Sequence, residues 1–423
     1  MQIDIPYGKE KIKVNIPESC EILVPNKVKE GDENEIIEEA LKNPIGMEPF
    51  KKFAEKSKQL LVIVNDATRP TPTLKVLEFL YPVLSLHPNV KFLIATGVHR
   101  APTKEEYELI FGRYYAIFKD QIYVHDARRK EEMTYLGRSK NGTEMYINRM
   151  VPEIGNVIVI GSVEPHYFAG YTGGRKSFLP GVASYQTIEM NHKLALSDKA
   201  RSLALEGNPV HEDMVDAMNV LKDVNVFSIQ TVLTGGHGIY AVTAGDLLKS
   251  FDAAIKYANE IFCVPLKKKG NIVITVAPYP MDIDLYQSQK ALDNSKLALE
   301  VNGIVILVSK CRMGVGEETF LDLLSKANTP QKILEIIDKG YKLGYHKAAK
   351  MVQIGSWAQM WMVTDLDDEI VKKTMMKPYK NIQSALDDAV NIIKARREQP
   401  RIVVMPFGSL TIPLINRGEI DGF

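Results

Sequence analysis

Short apolar runs alternate with amphipathic stretches along most of the 423-residue chain. In the first half, runs rich in Val, Ile and Leu predict strands buried on both faces, because such strands read as continuous apolar segments. These predicted strands cover residues 60–64, 91–95, 121–124 and 157–160. Helices are predicted between them at 73–81 and at 103–111, where Thr103 opens a candidate capping box. The alternation of strands and helices indicates a doubly wound α/β domain.

The same pattern restarts after the charged, glycine-terminated segment 267–270. Further strands are predicted at 271–276, 303–308, 351–354 and 401–405, and helices at 287–301, 329–340 and 382–397. We therefore predict an α/β fold of two domains with mainly parallel sheets and an interdomain active-site cleft. The predicted boundaries are 1–266 and 267–409, with a tail at 410–423 that returns to the first domain.

Composition narrows the class of protein. Lys and Arg total 53 and Asp and Glu total 52, so the chain lacks the basic excess of a nucleic-acid-binding protein. No apolar run reaches the roughly 18 residues that span a bilayer, and the N-terminus lacks a signal-peptide pattern. The three cysteines are far apart, which indicates neither a disulfide framework nor a zinc site. We expect a cytoplasmic protein without nucleic-acid or membrane partners.

The segment 157–192 has the highest density of residues suited to chemistry. Its predicted strand leads into a loop with Gly170, Gly173 and Gly174, followed by Arg175 and Lys176. Glycines let backbone N–H groups approach an anion, so a phosphate-bearing ligand suits this loop. The loop matches neither GxxxxGK[ST] nor GxGxxG. The alternative interpretation is a turn-rich connection with solvated Arg and Lys side chains.

Histidines follow two of the predicted strands. His99 and His166 both lie after apolar runs, and the carboxyl ends of parallel strands are where ligands gather in open α/β sheets. Two imidazoles there could act as a paired acid and base, or each could be a hydrogen-bonded structural group. His192 is a candidate metal ligand, although a single histidine would need non-protein ligands beside it. His211 and Glu212 do not complete an HExxH motif.

Two further segments could bind a small acid. Arg69 could hold a carboxylate through paired N–H bonds with Asp66 orienting it, or Asp66 could be a helix N-cap beside a solvated arginine. In the second half, a helix would place Tyr286 and Lys290 one turn apart on one face. Lys290 is then either a second carboxylate clamp or an ordinary surface lysine.

Five separated motifs resemble those of the lactate racemase family, the nickel-pincer-nucleotide-dependent 2-hydroxyacid racemases and epimerases. They occur in the family's order and span nearly the whole chain. The motifs are DATRP at 66–70, ATGVHR at 95–100, HYFAGYTGGRKSFLPG at 166–181, the following His192, and LYQSQK at 285–290.

The resemblance implies a cofactor and a role for each matching residue. Lys176 would carry the pyridinium-3-thioamide-5-thiocarboxylic acid mononucleotide covalently, and its nickel would be held by the cofactor and by His192. Gly173 and Gly174 would help seat the nucleotide. The resemblance assigns the general acid/base role to His99 and His166, and substrate binding to Arg69, Asp66, Tyr286, Gln287 and Lys290. It also suggests Trp357 as the family's cleft tryptophan.

The implied activity is racemisation or epimerisation of a 2-hydroxyacid, lactate or a similarly short acid, by reversible hydride transfer from C2. The implied partners are the small 2-hydroxyacid substrate and the proteins that make the cofactor and insert nickel. Two alternatives stay open at the level of sequence. One is a nicotinamide-dependent hydroxyacid oxidoreductase, and the other is a non-catalytic nucleotide- or metal-binding protein.

Overall fold

The structure, a computed structural model, describes residues 1–221 and 223–415. The strands in chain order are β1 (Gln2–Tyr7), β2 (Glu10–Asn15), β3 (Glu21–Ile22), β4 (Leu60–Asn65), β5 (Val90–Ala95), β6 (Ile122–Val124), β7 (Met133–Arg138), β8 (Glu144–Asn148), β9 (Asn156–Ser162), β10 (Pro165–His166), β11 (Gly170–Tyr171), β12 (Asn225–Leu233), β13 (Ile239–Gly245), β14 (Cys263–Pro265), β15 (Gly270–Val276), β16 (Leu299–Val308), β17 (Gln359–Val363), β18 (Lys377–Tyr379), β19 (Ile402–Met405) and β20 (Ile412–Leu414).

The α-helices connect these strands. In chain order they are α1 (Glu33–Lys42), α2 (Phe50–Lys56), α3 (Thr73–Leu84), α4 (Lys104–Phe111), α5 (Tyr115–Phe118), α6 (Met150–Ile154), α7 (Tyr185–Lys193), α8 (Pro209–Asn219), α9 (Leu247–Phe262), α10 (Leu285–Ser295), α11 (Glu318–Leu324), α12 (Pro330–Lys339), α13 (Tyr345–Gly355), α14 (Asp368–Lys373) and α15 (Ile382–Ala395). Within the described ranges, no helix is both long enough and apolar enough to cross a membrane.

The chain forms two compact units. The N-terminal unit is Lys27–Ile261, and the C-terminal unit combines Met1–Asn26 with the chain from Phe262 onward. Each unit is built on a six-stranded sheet with helices, which confirms the predicted α/β class with two domains.

The sheet of the N-terminal unit has the order β13-β12-β9-β4-β5-β6 and is parallel except for the β12–β13 pair. Residues 60–64 of β4 are all fully buried, as the continuous apolar run predicts. Helix α4 begins with the predicted capping box of Thr103 and Glu106. From β4 the chain moves to β5 and β6 on one side, and later to β9 and β12 on the other. The carboxyl ends of β4 and β9 therefore form a topological switch point, the usual ligand position in open α/β sheets.

The sheet of the C-terminal unit has the order β18-β17-β16-β15-β19-β3 and is parallel throughout. Its switch point lies between β15 and β19, and α10 begins soon after the carboxyl end of β15. The predicted strand at 351–354 is wrong, because these residues lie in α13 and the strand is Gln359–Val363. The helix predicted over 287–301 ends at Ser295, and β16 begins at Leu299.

The domain boundaries differ from the predicted ones at both ends. Residues 1–26 belong to the C-terminal unit, because Ile5 and Val14 of the β1–β2 hairpin are buried in its core and β3 pairs with β19. In the predicted tail, β20 runs parallel to β14, and both strands lie in the C-terminal unit. Residues 416–423 of that tail lie outside the described residues.

Candidate active site

Three of the predicted site residues of the N-terminal unit lie around the ring of Phe168. The Lys176 ammonium lies 5.6 Å from the centre of this ring. The ring centres of His192 and His166 lie 5.1 Å and 4.6 Å from it. Phe168 is itself buried, so the three polar groups share one apolar neighbour at the carboxyl-end side of β9. The sequence did not single out Phe168, although it lies within the recognised motif.

His192 has a fixed tautomer. It lies in the last turn of α7, and its Nδ1 is 3.1 Å from Oδ1 of Asn191. The amide nitrogen of Asn191 donates to the carbonyl of Val210 and to the carboxylate of Asp213, so its oxygen is the atom that faces the imidazole. Nδ1 of His192 therefore donates a hydrogen, and the ring's lone pair is on Nε2. A partner of this kind is typical of a metal-binding histidine.

The electrostatic surroundings keep His192 neutral. Burial, with a smaller contribution from the positive charge of Lys176, lowers the pKa of His192 to about 3. Neutral imidazole is the form that binds metals. Among the described residues, no group of three or more His, Cys, Asp or Glu side chains could hold a metal ion. A metal at His192 would thus need donors outside the protein, and this fits the donor set that a nickel-pincer nucleotide would bring.

The glycine loop is shaped by packing against β12 and α9. A Cβ on Gly173 would lie 2.6 Å from Oε1 of Gln230, and one on Gly174 would lie 3.1 Å from the ring of Phe251. The N–H of Gly174 donates to Gln230 over 2.9 Å. These contacts explain why neither position has room for a larger side chain. A role for Gly173 and Gly174 in seating the nucleotide stays a prediction.

Arg175 is fully buried, so the alternative interpretation of a solvated arginine is wrong. Its guanidinium donates to the carbonyls of Ala169, Thr172 and Gly173 and lies 4.2 Å from the ring centre of Phe251. It also donates through Nε to Nδ1 of His211, 3.0 Å away. Because one cation holds three carbonyls of the same loop, Arg175 fixes the backbone between His166 and Lys176.

His99 is paired with Asp66, and this corrects the predicted pairing of Asp66 with Arg69. Nδ1 of His99 lies 2.7 Å from Oδ2 of Asp66, while Oδ1 accepts hydrogen bonds from Thr68. The helix N-cap alternative is also wrong, because α3 begins only at Thr73. Burial alone would raise the pKa of Asp66, but the bonds from His99 and Thr68 outweigh it and hold that pKa below its usual value. Ionised Asp66 accepts the Nδ1 hydrogen, which leaves the lone pair of neutral His99 on Nε2.

The neutral ring of His166 has the opposite tautomer to that of His99. Its Nδ1 accepts the N–H of Ala169 over 3.3 Å, so the neutral ring carries its hydrogen on Nε2. His166 is 9% exposed, whereas the side chain of His99 is 43% exposed. The two histidines thus present complementary atoms, an acceptor nitrogen on His99 and a donor N–H on His166.

Backbone hydrogen bonds connect the His99 turn to the Lys176 loop. The N–H of Gly97 donates to the carbonyl of Gly181, and the N–H of Gly181 donates to the carbonyl of Lys176, both over 2.9 Å. The hydroxyl of Thr71, two residues after Arg69, lies 3.0 Å from the hydroxyl of Ser162 at the end of β9. The turns after β4, β5 and β9 are therefore tied together at one edge of the sheet.

We expect Asp66→Asn to lower kcat for the racemisation that the resemblance implies by about 10²-fold, because an amide does not hold the His99 tautomer as a carboxylate does. Since the pKa of Asp66 is lowered by folding, the carboxylate stabilises the fold at neutral pH, and this contribution is lost as the pH falls through that lowered pKa. The measurement is kcat together with the unfolding temperature. Asp126→Asn is the matched control, because Asp126 forms a similar turn with Arg128 after β6. Unchanged kcat in Asp66→Asn would contradict the positioning role.

The predicted substrate-binding residues of the C-terminal unit lie at the start of α10. Asp284 caps this helix by accepting the N–H of Gln287 over 2.6 Å, and Tyr286 and Lys290 follow one turn apart as predicted. The sequence missed Lys347 of α13, whose ammonium donates to the carbonyl of Tyr286 over 2.5 Å. A lysine in an amphipathic segment gives no signal that it is buried.

Trp357 lies at the other edge of the C-terminal sheet. Its carbonyl accepts the N–H of Asn302, near the amino-terminal end of β16, whereas α10 begins beyond the carboxyl end of β15. The structure does not bring Trp357 together with Tyr286 and Lys290.

Comparison with known proteins shows the family. The Lactate racemase N-terminal domain family matches residues 7–203, and the Lactate racemase C-terminal domain family matches residues 266–412. The lactate racemase of Thermoanaerobacterium thermosaccharolyticum is 33% identical over 96% of this chain and 97% of its own length. The lactate racemase of Lactiplantibacillus plantarum is 30% identical over 96% of this chain and 98% of its own.

Comparison with solved structures agrees with these sequence matches. The lactate racemase apoprotein from T. thermosaccharolyticum superposes with a TM-score of 0.90 at 32% identity, covering 98% of this chain and all of that one. A protein from Thermotoga maritima, at 16% identity and a TM-score of 0.66 over 92% of this chain, shares the fold. The resemblance that the motifs indicated is confirmed, and the chain is an isomerase that belongs to the lactate racemase family.

Proposed function

We propose that this isomerase interconverts the enantiomers of lactate or of a similarly short 2-hydroxyacid, with a nickel-pincer nucleotide attached to Lys176. The observation that carries the proposal is the cluster around Phe168, where Lys176, His166 and His192 meet. The near full-length relatives named lactate racemases support the substrate class.

Two residues of the cluster would hold the cofactor. The Lys176 amine would form the covalent link, and Nε2 of His192 would be the protein ligand of nickel. When bound, the nickel-pincer nucleotide supplies reversible hydride transfer at C2 of the substrate. The depressed pKa of His192 keeps its ring available as a neutral ligand across the neutral pH range.

The two other histidines would handle the hydroxyl proton. Nε2 of His99 accepts a proton, and Asp66 stabilises the imidazolium that forms. His166 holds a hydrogen on Nε2, where it can bond to a substrate oxygen. Two such groups suit a racemase, because the enantiomers present their hydroxyl groups on opposite sides of C2.

Cationic and polar groups would bind the substrate acid. We assign substrate binding to Arg69 in the N-terminal unit and to Lys290, Tyr286 and Gln287 in the C-terminal unit. The assignment of Asp66 changes, because its carboxylate is committed to His99 and Thr68 and acts by positioning. We further propose that proteins which make the cofactor and insert nickel are the partners of this chain, which acts in the cytoplasm.

The test is a chiral assay of the loaded full-length protein. The protein is incubated with the nickel-pincer nucleotide and then separately with D-lactate and with L-lactate. We expect both reactions to reach the same equal mixture, because enantiomers have equal free energies. Net production of a 2-oxoacid only when NAD is added would favour the oxidoreductase instead. Unchanged lactate and unchanged longer 2-hydroxyacids, in protein shown by mass to carry the cofactor, would contradict the proposal.

A further inference from the structure

The start of helix α8 bonds to the loop that carries Lys176. The amide nitrogen of Asn208, which caps this helix, donates to the carbonyl of Phe168 over 2.9 Å. One turn later, Nδ1 of His211 accepts a hydrogen bond from Arg175, the residue before Lys176. Asn208 and Arg175 are both fully buried. Helix α8 therefore binds this loop at two points.

A third residue of α8 is connected to His192 through one intermediate side chain. Asp213 is fully buried, and its Oδ2 accepts a hydrogen bond from the amide nitrogen of Asn191 over 3.2 Å. The amide oxygen of Asn191 accepts the hydrogen on Nδ1 of His192 over 3.1 Å. The two hydrogen bonds therefore link the carboxylate of Asp213 to the ring of His192, which is the proposed protein ligand of nickel.

The carboxylate of Asp213 determines which way the Asn191 amide faces. A side-chain amide can present either its oxygen or its nitrogen to a neighbour, whereas a carboxylate only accepts hydrogen bonds. Asp213 therefore attracts the amide nitrogen of Asn191 and leaves the amide oxygen for His192. The carbonyl of Val210, 3.3 Å from the same nitrogen, favours the same orientation. Since the oxygen beside Nδ1 accepts a hydrogen from it, the lone pair of His192 lies on Nε2.

Asp213 also has a buried oxygen that the fold leaves unpaired. Its Oδ1 has no hydrogen-bond partner within the described residues. Buried polar atoms in native proteins are nearly always hydrogen-bonded, and an unpaired one costs free energy. An apolar side chain at this position would avoid that cost, so packing alone does not account for a carboxylate there.

We propose that Asp213 is a positioning residue for the nickel ligand. By orienting the Asn191 amide, it keeps the Nε2 lone pair of His192 available to the metal of the cofactor. Removal of a partner one step outside the metal ligands typically lowers metal affinity by about 10- to 100-fold. The inference rests on the proposed function, because nickel binding at His192 is part of that proposal.

The first experiment measures nickel release from the loaded full-length protein. Wild type and Asp213→Asn are loaded with the nickel-pincer nucleotide and mixed with excess EDTA, and the remaining nickel is followed over time. We expect Asp213→Asn to release nickel at least about tenfold faster, because its amide no longer selects the orientation of Asn191. The nucleotide should stay attached to both proteins, which intact mass checks.

Two further variants complete this test. Asp213→Leu places an apolar side chain of similar size at the position and should release nickel as fast as Asp213→Asn. Asp216→Asn is the matched control, because Asp216 lies one turn later on α8 and its carboxylate accepts the N–H of Lys140 over 2.8 Å. The release rate of this control should equal that of the wild type.

The second measurement reports the tautomer of His192 directly. Proteins with isotopically labelled histidine nitrogens are compared by NMR before loading, and His192→Gln identifies the signals of this ring. We expect the hydrogen on Nδ1 in the wild type and a detectable population with the hydrogen on Nε2 in Asp213→Asn. An unchanged release rate or an unchanged tautomer, in Asp213→Asn with native unfolding temperature, overturns the inference and leaves the proposed function intact. Wild-type protein that binds the nucleotide without nickel, or binds neither, would contradict the proposed function and the inference with it.

Discussion

His166→Ala and His99→Ala are each expected to lower racemisation in both directions by about 10³-fold. In the proposed mechanism, each enantiomer loses a hydroxyl proton when it reacts and regains one when it forms, so both histidines would act in every turnover. The structure gives them complementary atoms, with the lone pair of His99 on Nε2 and the hydrogen of His166 on Nε2. Removing His99 leaves no acceptor nitrogen in this pair, and removing His166 leaves no donor N–H.

The measurement is the initial rate from D-lactate and from L-lactate, with cofactor loading checked by mass. His87→Ala is the control, because His87 lies before β5, at the opposite edge of the sheet, and bonds to the carbonyl of Ser57. We expect its rates to match those of the wild type. A single His99 or His166 variant that retains full racemisation in either direction would show that the two-histidine assignment is wrong.

Lys176→Ala is expected to abolish racemisation while leaving the fold intact. The amine would be the point of covalent attachment, and no other side chain replaces it. Lys176→Arg should be equally inactive, although it keeps the positive charge beside His192, because a guanidinium does not form the same link. This pair separates the loss of a covalent link from the loss of a charge.

The matched control is Lys193→Ala, an exposed lysine next to His192 on α7. We expect wild-type racemisation in this variant and unfolding temperatures within a few degrees of wild type in all three proteins. Wild-type rates in Lys176→Ala would remove Lys176 from the mechanism.

The sheet strands were the most predictable part of the fold. Residues 60–64 and 157–160 are apolar without interruption because parallel strands are covered on both faces. The run at 351–354 is apolar except for Gln353, but it lies in a helix that is buried nearly all round. A short apolar run does not distinguish these two environments, and only the neighbouring elements decide.

The positions of the candidate site residues relative to the strands were predictable, but their pairings were not. The motifs placed Asp66, His99 and Lys176 after buried strands, and the sheet order explains why the turns that carry them lie at one edge of the sheet. The bond between Asp66 and His99 joins residues 33 positions apart, so no local pattern could reveal it. The buried state of Arg175 likewise depends on Phe251, which lies on a distant helix. Tertiary packing, rather than local sequence, determines these contacts.

Intact mass and nickel content after loading test the central claim most directly. Wild-type protein and the Lys176→Ala variant would be incubated with the nickel-pincer nucleotide, desalted under denaturing conditions for mass, and desalted under native conditions for metal analysis. We predict a covalent adduct of one nucleotide and one nickel per wild-type chain, and neither on the variant. An unmodified wild type, under conditions that load another lactate racemase, would contradict the account.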